Sequence, residues 1–273
     1  MSPPGAAAFG KTHVVSPIGK HQATIVWLHV IGENGSSWSQ DLENLPLPNV
    51  IATVIYAGFD VMDLTGDGPD DVEELDMTAA HVANLLSNEP SDIKLGVGGF
   101  GMGAGASLYT ATCFALGKYG IGNHYPINLT AVIGLSGWLP CAKTLVGKLE
   151  EEQIKNRAAS LPILVCHGTG NEATYITLKN IEMFYPSLGE KSSQALISLG
   201  FKKTTFKAYS RYGHYRIPEE IDDLCAWLTF TLGLEYIYIY IFLIVKNLLK
   251  SHCQPAWLTF TYISVILGDS VKS

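Results

Sequence analysis

The chain has 273 residues, of which 47% are hydrophobic and 16% are charged. This balance excludes a disordered, collagenous or coiled-coil protein. The 25 acidic and 18 basic side chains give a formal net charge of −7, and the sequence contains no basic run, which argues against nucleic acid as a partner. Five scattered cysteines without a CxxC pair predict buried free thiols, and neither a disulfide framework nor a metal site.

Short β-rich runs alternate with longer amphipathic runs from about residue 23 to residue 232. Most of the short runs are apolar throughout, as strands covered on both faces are. The predicted strands are Thr24–Val30, Val50–Tyr56, Ile93–Val97, Leu129–Leu135, Ile163–Cys166 and Thr204–Tyr209. The predicted helices are Asp71–Asn88, 102–117, 143–159, 188–199 and 217–232. This alternation predicts an α/β protein with a mostly parallel central sheet and helices on both faces.

The clearest helix signal lies at the start of Asp71–Asn88. Asp70 is the predicted N-cap, and Glu73 follows it at the spacing of a capping box. The run of carboxylates from Asp70 to Glu74 is interpreted as a solvated helix start. One apolar stripe then follows at helical spacing and predicts a buried face. Its members are Val72, Leu75, Ala79, Val82 and Leu86.

The two ends of the chain depart from this pattern. We predict a flexible N terminus over 1–11, one domain over 12–232, and an aberrant hydrophobic tail over 233–273. The apolar run Leu234–Val245 is too short to span a bilayer, so membrane contact is expected only through the tail. The first residues lack a basic, apolar leader, which predicts a cytoplasmic protein. The hexapeptide Ala226–Thr231 recurs as Ala256–Thr261, which indicates a local duplication in the gene or a mis-assembled transcript.

The segment Leu95–Gly103, LGVGGFGMG, is typical of a strand, a tight turn and a helix start. Its shape matches the nucleophile elbow G-x-S-x-G of the α/β-hydrolases, except that Gly101 stands where the serine belongs. Two alternatives remain, a phosphate-binding loop and a dinucleotide motif of the form G-x-G-x-x-G. The dinucleotide reading lacks the acidic residue expected about 20 positions later, so the elbow is favoured.

Three further motifs follow predicted strands in the order that an α/β-hydrolase requires. Trp27–Gly35 follows an early strand, Leu164–Glu172 follows a late one, and Tyr212–Tyr215 precedes the final helix. Together with the elbow they give the chain order nucleophile, acid and histidine. The sequence therefore predicts the α/β-hydrolase fold and a hydrolase site at the carboxyl ends of the strands.

These motifs and several longer stretches resemble the acyl-protein thioesterases of the phospholipase/carboxylesterase family, particularly the plant members. The similarity covers residues 12–232. Its most specific stretches are Phe59-Asp60-Val61, Gly98-Gly99-Phe100, Gly134-Leu135-Ser136-Gly137-Trp138-Leu139-Pro140 and Gly213-His214-Tyr215. The resemblance implies a cytosolic serine hydrolase that needs no cofactor. Its substrates would be acyl thioesters on S-acylated proteins, lysophospholipids and small carboxylic esters.

The resemblance also implies a role for five positions of the site. Gly101 occupies the nucleophile position, Asn171 occupies the position of the acid, and His214 matches the general base. Ile31 and Met102 would supply the two backbone N–H groups of the oxyanion hole. Two of the three triad side chains are therefore changed, from serine to glycine and from aspartate to asparagine, and catalytic impairment is expected.

Other residues near these motifs receive structural interpretations. Glu172 lies beside the acid position and is a possible partial substitute. Ser136 is an alternative nucleophile, although its surroundings are typical of core packing. His29 and His167 are expected to hold loops.

Three hypotheses about function remain open. The chain is a family hydrolase with impaired catalysis, a pseudoenzyme that binds acyl groups without turnover, or the product of a mis-spliced or decaying gene copy. The third rests on clustered departures from the family. The region after Pro48 is shortened, Ala173–Ser187 is an insertion, and the tail after residue 233 is foreign to the family pattern.

Overall fold

The computed structural model describes residues 9–29, 35–57, 70–145, 147–148, 151–169, 187–209 and 218–234. Within these ranges the strands are β1 His13–Val15, β2 Ala23–His29, β3 Val50–Tyr56, β4 Lys94–Phe100, β5 Ala131–Leu135, β6 Ile163–Gly168 and β7 Thr204–Tyr209. The helices are α1 Gly35–Glu43, α2 Val72–Leu86, α3 Met102–Leu116, α4 Ala142–Leu145, α5 Glu152–Ser160, α6 Ser187–Ser198 and α7 Pro218–Leu232.

The strands form one sheet in the order β1-β3-β2-β4-β5-β6-β7. All neighbours are parallel except β1, which pairs antiparallel with β3. The carboxyl ends of β4, β5 and β6 are level, since Phe100 pairs with Leu135 and Leu135 pairs with Cys166. The predicted mostly parallel sheet is confirmed, and its carboxyl edge is the place where polar loops can meet.

Helices cover both faces of the sheet, as predicted. On one face Trp38 of α1 packs against Trp27 and Phe100, with ring centroids 5.5 and 5.7 Å away. On the other face α3 lies so close that Leu108 fills the space beside Gly134 of β5. The seven residues of β2 are all buried, because a strand between two helical layers has no solvent-facing side.

The start of α2 corrects one prediction. The N-cap is Asp71, whose carboxylate accepts a hydrogen bond from the Glu74 amide at 3.0 Å; Asp70 is not the cap. Asp70 accepts instead from the Cys141 amide at 2.6 Å, so it is half-buried and joins the entry of α2 to the loop after β5. Because two aspartates are adjacent, the sequence alone does not show which of them is the N-cap.

The predicted apolar stripe of α2 is buried at Leu75, Ala79, Val82 and Leu86, and Val72 at its start is half-buried. The buried face also holds one charged residue that the pattern did not reveal. Asp76 is 4% exposed. Its carboxylate accepts hydrogen bonds from the Tyr109 hydroxyl at 2.6 Å and from the Gly120 and Ile121 amides at 2.8 Å. A buried carboxylate with several donors is stable, and this one ties the loop after α3 to α2.

Several element bounds differ from the sequence predictions. The predicted helix 143–159 is two helices, α4 and α5, because Gly147 takes a positive φ of 81° between them. The strand β1 and the helix α1 were not predicted. Both are short, and α1 has no acidic first turn and no basic last turn, the features that mark helix ends.

The described cysteines are buried free thiols, as predicted: Cys113, Cys141, Cys166 and Cys225. No helix within the described ranges is long and apolar enough to cross a membrane. The chain divides into the unit Met1–Leu234 and the unit Glu235–Ser273. Apart from Leu234, the predicted run Leu234–Val245 lies outside the described residues.

Candidate active site

The predicted elbow is a sharp turn between a strand and a helix. Strand β4 ends at Phe100, and α3 begins at Met102. Gly101 lies between them with φ 59° and ψ −118°. Residues with a Cβ atom rarely adopt a positive φ, whereas glycine adopts it without steric cost because it has no Cβ. The Gly101 amide donates to the Leu135 carbonyl at 2.9 Å, so the turn is anchored to the end of β5.

Close backbone approaches around the turn explain its other glycines. A Cβ on Gly103 would overlap the Leu28 carbonyl group, and a Cβ on Gly99 would lie 2.7 Å from the Leu28 carbonyl oxygen. A Cβ on Gly137 would lie 2.7 Å from the Gly101 carbonyl oxygen. The glycines at 99, 103 and 137 therefore let β2, β4, α3 and the loop after β5 meet at one point.

The amino end of α3 supplies backbone donors at this point. The first N–H groups of any helix have no partner inside the helix, and they carry the positive end of the helix dipole. Met102, 5% exposed, is the first residue of α3. The predicted oxyanion donor thus lies at the helix terminus, and no side chain caps this end of α3.

Ser136 lies immediately after β5, close to the elbow in the fold. It is 5% exposed and takes a positive φ of 52°. Its amide donates to the Cys166 carbonyl at 2.8 Å. These features describe a buried turn residue that links β5 to β6, in agreement with the interpretation of Ser136 as core.

Two buried thiols lie near the same edge of the sheet, and neither is an activated nucleophile. Burial, with the Glu220 carboxylate as a second cause, raises the pKa of Cys166 to about 12. Burial and the neighbouring Asp70 carboxylate raise the pKa of Cys141 to about 12. Because the thiolate is the reactive form, both sulfurs remain protonated and unreactive at neutral pH.

Strands β6 and β7 bring together the starts of the two loops that carry the predicted acid and base. Gly168 pairs with Tyr209 at the ends of these strands, and the Thr169 amide donates to the Tyr209 carbonyl at 2.9 Å. Asn171, His214 and Ile31 themselves lie outside the described residues, so their predicted roles stay predictions.

A hydrogen-bonded network that the sequence did not reveal connects β7 and α7. The Tyr209 hydroxyl donates to Asp223 at 2.8 Å, and the Lys207 ammonium contacts the same carboxylate at 2.6 Å. Partial burial opposes ionisation of Asp223, but hydrogen bonds from Lys207 and Tyr209 outweigh it and lower the pKa of the carboxyl group. The network therefore joins the end of β7 to α7.

The two histidines predicted to hold loops are buried. His29 is 6% exposed, and its ring centroid lies 5.8 Å from that of Tyr56. His167 is 3% exposed, and α6 approaches it so closely that a Cβ on Gly189 would lie 2.6 Å from its Cβ. Within the described ranges, no three histidine, cysteine, aspartate or glutamate side chains are grouped in a way that could hold a metal ion.

Comparison with known proteins places this geometry in a family. The model of the phospholipase/carboxylesterase family matches residues 9–232. Acyl-protein thioesterase 1 of Gibberella zeae is 25% identical over 77% of this chain and 90% of that protein. Acyl-protein thioesterase 1 homolog 1 of Dictyostelium discoideum is 25% identical over 81% of this chain and 96% of that protein.

Solved structures agree in fold. The crystal structure of Zea mays acyl-protein thioesterase 2 is 50% identical, with a TM-score of 0.75 over 82% of this chain and 100% of that chain. Arabidopsis thaliana SOBER1 is 20% identical with a TM-score of 0.56 over 77% of this chain and 99% of that chain, and at that identity it supports the fold alone. The predicted α/β-hydrolase fold is confirmed.

Proposed function

Because the chain belongs to the phospholipase/carboxylesterase family, we propose that it keeps the scaffold of an acyl-ester and acyl-thioester hydrolase but has lost useful turnover. Acyl esters and thioesters, including S-acylated proteins, are the substrate class that the named relatives support. The observation that carries the proposal is glycine at the elbow, Gly101, with φ 59° and ψ −118°.

The chemical argument concerns the missing oxygen. A serine hydrolase forms a covalent acyl intermediate through an oxygen that a histidine deprotonates. Glycine has no side-chain oxygen, so no acyl-enzyme forms at residue 101. Loss of the nucleophile from a triad costs about 10⁶ in kcat, or roughly 8 kcal/mol of transition-state stabilisation. Backbone donors and binding alone leave about 10³ over the reaction in water.

Asparagine at the predicted acid position also lowers the catalytic rate. An asparagine holds the wrong tautomer of the histidine and cannot stabilise the imidazolium, which costs about 10⁴ in a serine protease. The two losses do not add, because a triad acts as a unit. Absence of the nucleophile alone is sufficient to abolish useful turnover.

The test compares the natural protein with two variants at one position. We expect no covalent labelling by a fluorophosphonate and no hydrolysis of p-nitrophenyl octanoate or an acyl thioester by the natural protein. Gly101→Ser restores the oxygen, and Gly101→Ala is the matched control with a Cβ but no oxygen. Labelling of Gly101→Ser alone would support the proposal, whereas stoichiometric labelling of any serine in the natural protein would contradict it.

A double variant tests the acid position separately. Gly101→Ser with Asn171→Asp should hydrolyse esters faster than Gly101→Ser by a large factor, up to about 10⁴. If the double variant is folded but no faster than the single one, Asn171 does not occupy the acid position.

A further inference from the structure

Tyr209, the last residue of β7, is bonded to two other parts of the fold. Its hydroxyl donates to the Asp223 carboxylate of α7 at 2.8 Å. Its carbonyl accepts a hydrogen bond from the Thr169 amide, immediately after β6, at 2.9 Å. Gly168, the last residue of β6, pairs with Tyr209 across the sheet. One residue therefore joins the ends of β6 and β7 to the helix that follows β7.

The positions of these contacts in the chain relate them to two loops of the candidate active site. Thr169 is two residues before Asn171, the predicted acid position. Tyr209 is five residues before His214, the predicted base. The connection that carries His214 has eight residues, and Asp223 lies in the second turn of the helix beyond it. The Tyr209–Asp223 hydrogen bond therefore ties the strand before this connection to the helix after it.

The donor and the acceptor of this hydrogen bond are both in the protonation state that the bond requires. Burial raises the pKa of the Tyr209 hydroxyl, and the neighbouring Cys166 and Asp223 raise it further, so the hydroxyl stays a donor at neutral pH. Partial burial opposes ionisation of Asp223, but hydrogen bonds from Lys207 and Tyr209 lower the pKa of its carboxyl group. The acceptor is therefore charged, and hydrogen bonds to a charged acceptor are the stronger kind.

The exposure of the neighbouring ion pair argues against a mainly stabilising role. The side chains of Lys207 and Asp223 are each 37% exposed, and ion pairs at such exposure contribute little to stability. A hydrogen bond that fixes the ends of a connection has a different effect, because it reduces the number of conformations that the connection can adopt. In an active site, a displacement of about 1 Å can cost a factor of about 10² in rate. The contacts of Tyr209 therefore bear on geometry more than on stability.

We propose that Tyr209 is a positioning residue, which holds the connection carrying His214 in place through its hydrogen bonds to Asp223 and Thr169. The proposal rests on the proposed function, since it takes residues 171 and 214 as the acid and base positions. Gly101 lies at the end of β4 and makes none of these contacts. The loss of the nucleophile therefore leaves this positioning device intact.

The ring of His214 in the natural protein reports on its position without any catalysis. Its Hε1–Cε1 resonance is assigned in a ¹H–¹³C spectrum by its loss in His214→Gln. Tyr209→Phe keeps the aromatic ring and removes the donor, whereas Asp223→Ala removes the acceptor. Each variant should shift or broaden the His214 resonance, while the resonance of His81 on α2 should stay unchanged. An unchanged His214 resonance in both variants would overturn the proposal.

A double variant separates one shared hydrogen bond from two unrelated effects. If Tyr209 and Asp223 act on His214 through the bond between them, their effects are not additive. Tyr209→Phe with Asp223→Ala should then change the His214 resonance no more than the larger single change does. Additive changes would overturn the proposal.

The matched control is Tyr109→Phe, which removes a similar hydrogen bond of 2.6 Å between Tyr109 and Asp76. This bond joins α3 to α2 and involves neither β7 nor α7. Its loss should lower stability and leave the His214 resonance unchanged. A change in Tyr109→Phe as large as that in Tyr209→Phe would show that reduced stability displaces the histidine, and the proposal would be wrong.

Labelling kinetics test the same role in chemistry, with Gly101→Ser as the background. Adding Tyr209→Phe should lower the limiting rate constant of fluorophosphonate labelling about tenfold. The concentration that gives half of that rate should change by less than about twofold, because the defect lies in orientation and not in binding. An unchanged limiting rate constant would overturn the proposal.

Failure of this test is distinguishable from failure of the proposed function. If Gly101→Ser is not labelled at all, the result counts against the proposed function. The His214 resonance of the natural protein requires no serine at position 101, and it then decides whether Tyr209 positions the histidine.

Discussion

At the scale of single residues, Gly101 combines the absence of a side-chain oxygen with a favourable backbone conformation. Its φ of 59° is a conformation that glycine takes freely and that costs other residues about 1–3 kcal/mol. In active hydrolases of this fold the strained turn is kept because it exposes the nucleophile to the substrate. Under the proposed function, glycine at the nucleophile position removes both the oxygen and the strain.

Gly101→Ser and Gly101→Ala should therefore both lower the free energy of unfolding, by about 1 kcal/mol. The two losses should be similar, because the Cβ causes them and not the hydroxyl group. Urea unfolding of the three proteins measures this. If either variant is more stable than the natural protein, the turn does not hold the positive φ in solution.

Asp76 shows how one buried carboxylate organises its surroundings, since three donors from α3 and the following loop converge on it. Asp76→Asn keeps the shape of the side chain but replaces one acceptor oxygen with an NH₂ group. This group is a donor and faces a donor of the fold, so at least one of the three hydrogen bonds is lost. We expect a loss of about 2–4 kcal/mol in the free energy of unfolding.

The matched control for Asp76→Asn is Tyr109→Phe, which removes a single hydroxyl donor from the same carboxylate. Its loss in chemical denaturation should be smaller, about 1–3 kcal/mol. Equal losses in the two variants would mean that the Gly120 and Ile121 amides contribute nothing to holding the carboxylate.

At the scale of elements, α2 carries a titratable group whose charged form the fold disfavours. Burial lowers the pKa of His81 below 6.5. Its ring stacks on Phe9 with centroids 4.2 Å apart, and its Nε2 is buried without a hydrogen bond. The stack joins the start of the described chain to α2 through a neutral imidazole.

The pH dependence of stability follows from this pKa. The unfolded chain, with a His81 pKa near 6.5, binds more protons than the folded chain once the pH falls below about 6.5. The contribution of His81 to stability is therefore present above pH 6.5, declines as the pH falls through that value, and levels off below the folded pKa. In His81→Phe, which keeps a stacking ring, the urea midpoint should change less between pH 7.5 and pH 5. An unchanged pH dependence would contradict the burial of a neutral His81.

At the scale of the whole molecule, the end of α7 indicates where the folded domain ends. Gly233 takes a positive φ of 57°, and the Leu234 amide donates to the Thr229 carbonyl at 3.0 Å. This is the kind of left-handed ending that stops a helix. Leu234 is 6% exposed and joins the hydrophobic core. We propose that the domain predicted over 12–232 includes these two residues.

Two truncated chains test this boundary. A chain that ends after Leu232 should be less stable than one that ends after Leu234 by about 1.5–3 kcal/mol, the value of one buried leucine. Limited proteolysis of the full chain should leave a fragment that ends at or beyond Leu234. Equal stability of the two truncated chains, or protection through to Ser273, would contradict the proposed boundary.

The amino-acid sequence was sufficient to predict the fold class, the parallel sheet and the elbow. These depend on local signals: apolar runs of strand length, helical stripes, and the glycine pattern of residues 95–103. The α/β-hydrolase fold follows from these signals and from the order of the later motifs, and it is confirmed. The phospholipase/carboxylesterase family was implied by the resemblance of specific stretches, and it is confirmed as well. The roles of Asn171, His214 and Ile31 stay predictions that rest on the resemblance to the family.

The tertiary structure alone decided which polar residues are buried and with what partners. The sequence could not distinguish Asp70 from Asp71 as the helix cap, because both precede the first turn and only the position of Cys141 separates them. Asp76 and the Tyr209–Asp223 pair have partners 33 and 14 residues away along the chain. A cavity lined by Trp27 of β2, Leu42 of α1 and Leu224 of α7 likewise depends on how these helices pack on the sheet. These features depend on contacts between residues far apart in the chain, and local sequence patterns do not predict such contacts.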